Sequence, residues 1–261
     1  MTRAMAFARP FLVLSGLGLL GILSLVPTLG PTIAQIQHLP DAPPLSETAL
    51  AAILLVQPTL LLLAAVAVGV GLSERAGLVS LVQRRCRGQA APETAAGGWL
   101  FALLLAALAG TVAAAVDLVL RQLHPASFAG IPRLDDAPLT GKVMALLYGG
   151  ITEELMTRFG LMTLFLWLGT RLLRRKRPLW LVWAAIAPAS LLFAAGHLPA
   201  LSGMAQPDTV LILRTLGLNG LLGLVYGWLY ASRSLEHAML AHMATHVIFW
   251  IATPFLVLLG L

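Results

Sequence analysis

The chain has 261 residues, 59% of them hydrophobic and only 11% charged, with a mean hydropathy of +0.88. Soluble domains carry about 25% charged residues, so a water-soluble enzyme or binding module is excluded, and the apolar residues fall in long runs whose solvent is lipid. The formal net charge of +6 would suit nucleic acid, but the basic residues sit in short tracts between apolar runs, as the positive-inside rule requires, and no nucleic-acid partner is expected.

Arg3 and Arg9 precede the first apolar run, and no small-residue cleavage site follows it. It reads as an uncleaved first membrane helix, not a removed secretory signal. Apolar runs of about 17 or more residues predict seven spans, at 11–27, 49–72, 98–120, 141–170, 179–198, 209–231 and 237–260. Pro58 and Pro188 lie inside two of them, which membrane helices tolerate where neighbours satisfy the freed carbonyl. The fourth run would be about 45 Å long if wholly helical, against a hydrocarbon core of roughly 30 Å. It is therefore expected to tilt, to break near Gly160 or to project into water, and a break would give eight crossings. The fold class expected is all-α, a polytopic transmembrane helix bundle. Residues 1–139 would supply three N-terminal spans and residues 140–261 the core that carries the chemistry.

The N-terminus, the 73–97 loop, the tract Arg171, Arg174, Arg175, Lys176 and Arg177, and the turn at Arg233 hold twelve basic residues. The alternate loops hold three, Arg121, Arg133 and Lys142. Seven spans put every strongly basic loop on one side, with the N-terminus in the cytoplasm and the C-terminus outside. The localisation expected is integral to a membrane, of the bacterial inner (plasma) membrane type. Around residues 78–82 the first basic loop has a stretch too short to assign as an interfacial amphipathic segment. One cysteine, Cys86, stands in Gln83-Arg84-Arg85-Cys86-Arg87; a single cysteine excludes an internal disulfide and a cysteine metal cluster. No internal repeat is visible, so an inverted-repeat transporter gains no support.

Chemistry concentrates in three places. The first is Gly149-Gly150-Ile151-Thr152-Glu153-Glu154-Leu155-Met156-Thr157-Arg158, in the fourth run. Three unpaired charges there would cost about 8–10 kcal/mol on insertion scales. Glu154 and Arg158 are spaced i, i+4 and oriented to pair, whereas Glu153 is rotated about 100° from Glu154 and is left to face a polar cavity. The bland alternative is a packing ion pair beside a Glu near an interface. The second place is Phe193-Ala194-Ala195-Gly196-His197, and the third Ala241-His242-Met243-Ala244-Thr245-His246. His242 and His246 are i, i+4 on one helical face, a spacing that serves a metal or a carbonyl and water. Asp117 and Arg214, also inside spans, need partners, and Asn219 is expected to bond a neighbouring helix.

Together these motifs resemble the CAAX-protease and bacteriocin-processing (CPBP) family, to which the prenyl-protein CAAX endopeptidases belong. The matching pattern is Glu-Glu-x-x-x-Arg, then Phe-x-x-x-His, then a late His with a polar residue four on, each in its own apolar run. The run Gly223-Leu224-Val225-Tyr226-Gly227-Trp228-Leu229-Tyr230 also looks like family sequence. The resemblance covers roughly residues 140–250. It implies an intramembrane endopeptidase in which Glu153 activates water, Glu154 and Arg158 support it, and His197 and His242 complete the centre. His246 stands where the family usually has Asn, exchanging an amide for an imidazole with one donor and one acceptor.

In the mechanism expected, Glu153 takes a proton from water held with His197 while His242 and His246 stabilise the oxyanion. No cofactor is required by that scheme. The alternative is a divalent metal such as zinc on Glu153, His197, His242 and His246, although HExxH is absent. The partners implied are membrane lipid and a membrane-associated protein or peptide, such as a prenylated CAAX tail or a leader peptide. Two other readings stay open: a non-catalytic membrane scaffold or immunity protein of the same fold, and an ion transporter.

Overall fold

The computed structural model describes residues 2–38, 44–174, 177–204 and 206–261, and every regular element among them is helical. The long helices are α1 (Arg3–Leu23), α2 (Glu47–Leu72), α3 (Trp99–Leu123), α4 (residues 139–172), α5 (Leu179–Ala195), α6 (Thr209–Ser232) and α7 (Leu235–Leu258). Six helices among the described residues, α1 to α3 and α5 to α7, are long and apolar enough to cross a membrane. Side chains set several starts: Ser46 accepts from the Ala49 N–H, Asp208 from Leu211 and Ser234 from His237, each relieving a donor that lacks a partner within its helix.

Helix α4 does not break at Gly160. Leu139–Met144 and Thr163–Leu172 are α-helical, and between them Ala145–Glu153 and Leu155–Met162 are wound in wider π turns. Gly160 instead marks a close approach: a Cβ there would lie 2.5 Å from the Ala65 Cβ of α2.

Small residues let the other helices close up, as expected where lipid removes the hydrophobic drive between them. Along α3 a buried stripe of Ala102, Ala106, Ala109, Gly110 and Ala113 faces α7, where a Cβ on Gly110 would come within 3.0 Å of Ile248. Helix α6 meets α5 through Gly223 and Gly227; added Cβ atoms would sit 2.9 Å from the Ser190 Cβ and 2.8 Å from Ile186. Helix α1 lies on α4 where the Thr152 hydroxyl donates to the Gly18 carbonyl at 2.7 Å.

The basic segments gather at one end of the bundle. Arg87 donates to the Ala6 and Val70 carbonyls, and Arg177 to those of Gly77 and Ala231. The stretch at 78–82 leads into a short helix, Leu81–Cys86, whose first N–H groups and the Ser80 hydroxyl donate to the Glu236 carboxylate. Arg175 and Lys176 lie outside the described residues. At the opposite end Ser127 donates to Asp208; that bond and the Leu211 N–H hold the Asp208 carboxyl below its ordinary range.

Asp117, fully buried, is flanked by Arg121 at 2.8 Å and Arg214 at 2.5 Å. Asn219 departs from expectation. Its amide donates to the Thr215 carbonyl one turn back in α6, not to another helix, because that acceptor is within reach and satisfies the group locally.

The tight α5–α6 seam yields a stability test. Gly227→Leu should overpack Ile186 and destabilise the fold by about 1–3 kcal/mol, read as a lower melting temperature in detergent.

Candidate active site

The wide turns of α4 and the two glycines inside them seat α7 against Glu153 and Glu154. A Cβ on Gly149 would stand 2.9 Å from His246 Nε2 and 3.6 Å from His242 Nε2, and one on Gly150 would collide with Met243. Glycine at 149 and 150 is thus what allows two imidazoles of α7 to lie directly on the α4 backbone.

Glu154 and Arg158 are buried, with 0% and 1% of their side chains exposed, and form an ion pair at 3.1 Å. His242 Nδ1 lies 2.8 Å from the same Glu154 oxygen. Because Arg158 also addresses that oxygen, it acts as acceptor and His242 donates from Nδ1, leaving Nε2 with a lone pair. Arg158 further donates to Thr157 Oγ1 at 2.6 Å and the Gly223 carbonyl at 3.1 Å. Its guanidinium lies 4.3 Å from the Phe193 ring centroid and 5.3 Å from that of Tyr226, so aromatic faces take the place of water around the cation.

Glu153 is placed differently. Its side chain is 18% exposed and 4.0 Å from His242 Nε2, and it lines a cavity of about 400 Å³. Across that cavity stands His197, whose Nδ1 lies 2.9 Å from the Phe193 carbonyl. A carbonyl only accepts, so Nδ1 carries the proton and Nε2 is an acceptor. The remaining wall includes Gln57, Pro58 and Leu61 of α2, Tyr148, Met156 and Thr157 of α4, and Pro199 beyond α5.

Of the six residues singled out in the sequence, Glu153 and His197 line this cavity, while Glu154, Arg158, His242 and His246 do not. Those four lie behind it. The His242 ring stacks on Tyr226 at 4.5 Å and on His246 at 5.1 Å. His246 Nε2 is buried with no hydrogen-bond partner among the described residues. His197 and His242 occur at different heights in their own helices, yet both rings pack edge-on against Phe193, with centroids at 4.8 and 5.7 Å. Among the described residues no three His, Cys, Asp or Glu side chains are grouped to hold a metal ion. His242 turns one nitrogen to Glu154, and His197 one to the main chain. The described residues as placed do not form a metal site.

Sequence reasoning passed over Gln57 and Tyr148. Gln57 carried a usable signal, a polar side chain within the apolar run 49–72; Tyr148 carried none, since tyrosine is common in membrane helices.

The buried pair makes a quantitative demand. Arg158→Leu should leave Glu154 uncompensated and cost about 3–5 kcal/mol, whereas the double variant Glu154→Gln/Arg158→Leu should recover part of that loss in the same denaturation assay.

No curated protein and no solved structure matched the chain. Residues 136–248, the segment that holds Glu153, Glu154, Arg158, His197, His242 and His246, match the family model described as type II CAAX prenyl endopeptidase Rce1-like.

Proposed function

We propose that the chain is an intramembrane endopeptidase that hydrolyses a peptide bond of a membrane-associated protein or peptide. The observation that carries this reading is the division of labour between adjacent carboxylates: Glu154 is held by Arg158 and His242, while Glu153 opens with His197 onto one cavity. Two acceptors on one cavity suit a water molecule, which has two hydrogens to give.

In the reaction, Glu153 takes one proton from the water as its oxygen attacks the peptide carbonyl, and His197 Nε2 orients the water through the other hydrogen. The carbonyl oxygen becomes the tetrahedral oxyanion. As the carbon–nitrogen bond breaks, Glu153 returns its proton to the leaving nitrogen. Glu154 and Arg158 act by position, fixing His242 and the α4 backbone behind Glu153. His242 contributes to oxyanion stabilisation only when protonated at both nitrogens, because its neutral form gives its one hydrogen to Glu154.

The membrane disposition proposed with this activity counts α4 as a seventh crossing, so that the end carrying Arg87, Arg177 and Arg233 faces the cytoplasm. The family match over residues 136–248 supports a hydrolytic activity at the membrane.

The test is cleavage of a panel of quenched fluorescent membrane peptides by detergent-purified protein. Glu153→Gln should lower kcat by about 10²–10⁴-fold, the range of a lost general base, with the protein still folded. Equal turnover by wild type and Glu153→Gln would overturn the assignment.

A further inference from the structure

Amide hydrolysis through a tetrahedral intermediate needs a hydrogen-bond donor at the carbonyl oxygen as it gains charge. The cavity's polar side chains are Gln57, Tyr148, Glu153, Thr157 and His197, and most have no hydrogen to give. Glu153 as carboxylate only accepts. His197 has its ring proton on the Phe193 carbonyl. Thr157 donates its hydroxyl proton to the Glu153 carbonyl at 2.6 Å and accepts from Arg158. His242, behind the cavity, gives its proton to Glu154.

His246 Nε2 has no partner, but that ring is buried behind the cavity and not on its wall. On the wall itself two donors are left. Neither the Gln57 amide nor the Tyr148 hydroxyl hydrogen-bonds another group among the described residues. Gln57 comes from α2, on a different helix from the carboxylate. Tyr148 is on the same helix as Glu153, five residues earlier, within the π-wound segment Ala145–Glu153. In an α-helix two such residues would point about 140° apart; i→i+5 winding brings them toward one side, and both line the cavity. The Tyr148 ring also packs against the core of the bundle, which fixes where its hydroxyl can reach.

We propose that the Tyr148 hydroxyl is the donor that stabilises the oxyanion in the hydrolysis set out above, a reading on which this inference rests. The step moves no proton from Tyr148. As water oxygen bonds to the carbonyl carbon and Glu153 takes the water proton, the carbonyl π electrons move to oxygen, and the phenol O–H donates to that oxygen. When the carbon–nitrogen bond breaks, the pair returns to rebuild the carbonyl, the nitrogen takes the proton from Glu153, and the phenol is unchanged. The wide turns of α4 thus acquire a chemical purpose: they set base and oxyanion donor on one helix, facing one substrate bond.

The experiment uses the full chain in detergent and the peptide of the panel that wild type cuts fastest, comparing wild type, Tyr148→Phe and Glu153→Gln. Phenylalanine keeps the packed ring and removes only the hydroxyl. The result expected for Tyr148→Phe is a loss of about 10²–10³-fold in kcat, with KM and melting temperature unchanged, the signature of a contact made only in the transition state. Wild-type kcat in Tyr148→Phe beside an inactive Glu153→Gln would overturn the role of Tyr148 and leave the protease reading standing. A loss confined to KM would also overturn it, by making the hydroxyl a ground-state contact. If wild type cuts no peptide of the panel, both readings fall together.

Discussion

A guanidinium buried among apolar helices is the constraint on which this structure turns. An arginine in a membrane span costs several kcal/mol unless it is paired or solvated, and Arg158 is 1% exposed. Its surroundings divide that cost: Glu154 supplies the opposite charge, Thr157 and Gly223 supply acceptors, and Phe193 and Tyr226 present their ring faces. Those partners come from α4, α5 and α6, so satisfying one cation fixes three helices together. Glu154 then draws in His242 and with it α7. Removing one partner from such a network is costly because the charge that stays behind has no water to turn to.

This arrangement explains why two adjacent glutamates fare so differently. The residue on the Arg158 side is consumed by structure. Its neighbour is turned away and meets the cavity wall. A single glutamate could not both neutralise Arg158 and remain available to water. The pair is needed because one carboxylate anchors the bundle and thereby holds the second in place.

Much of this was legible in the sequence, for a physical reason. Charged residues in apolar runs are expensive enough to stand out, so Glu153, Glu154, Arg158 and the Asp117–Arg214 pair could be picked by cost alone, and i, i+4 spacing tied Glu154 to Arg158. What escaped was set by backbone winding and by cheap residues. The π turns of α4 have no signature in apolar periodicity, and they place Tyr148 beside Glu153. Asn219 was expected to reach across helices, but a carbonyl one turn back was the nearer acceptor. The first three helices carried no motif, yet Gly18 of α1 receives the Thr152 hydroxyl next to Glu153, and Gln57, Pro58 and Leu61 of α2 form a wall of the cavity. The segment matched by the family model starts at residue 136, so the cavity is completed by a helix outside it, α2.

His197 and His242 share a design that bears on how water would be handled beside Glu153. Each has its Nδ1 proton committed to an acceptor that belongs to the scaffold: the main chain at Phe193 for His197, and the buried carboxylate of Glu154 for His242. Such anchoring fixes both the tautomer and the ring orientation. It leaves a lone pair, not a hydrogen, on each Nε2, that of His242 lying 4.0 Å from Glu153. Around a carboxylate proposed to accept a proton, additional lone pairs would orient water without competing for its oxygen. The same arrangement would repel an oxyanion, and that conflict cannot be relieved by rotating either ring without breaking its anchor. In the proposed hydrolysis such a site would hold its water well and would need the complementary hydrogen from another side chain, so the protonation of the cavity wall would matter as much as the identity of the base.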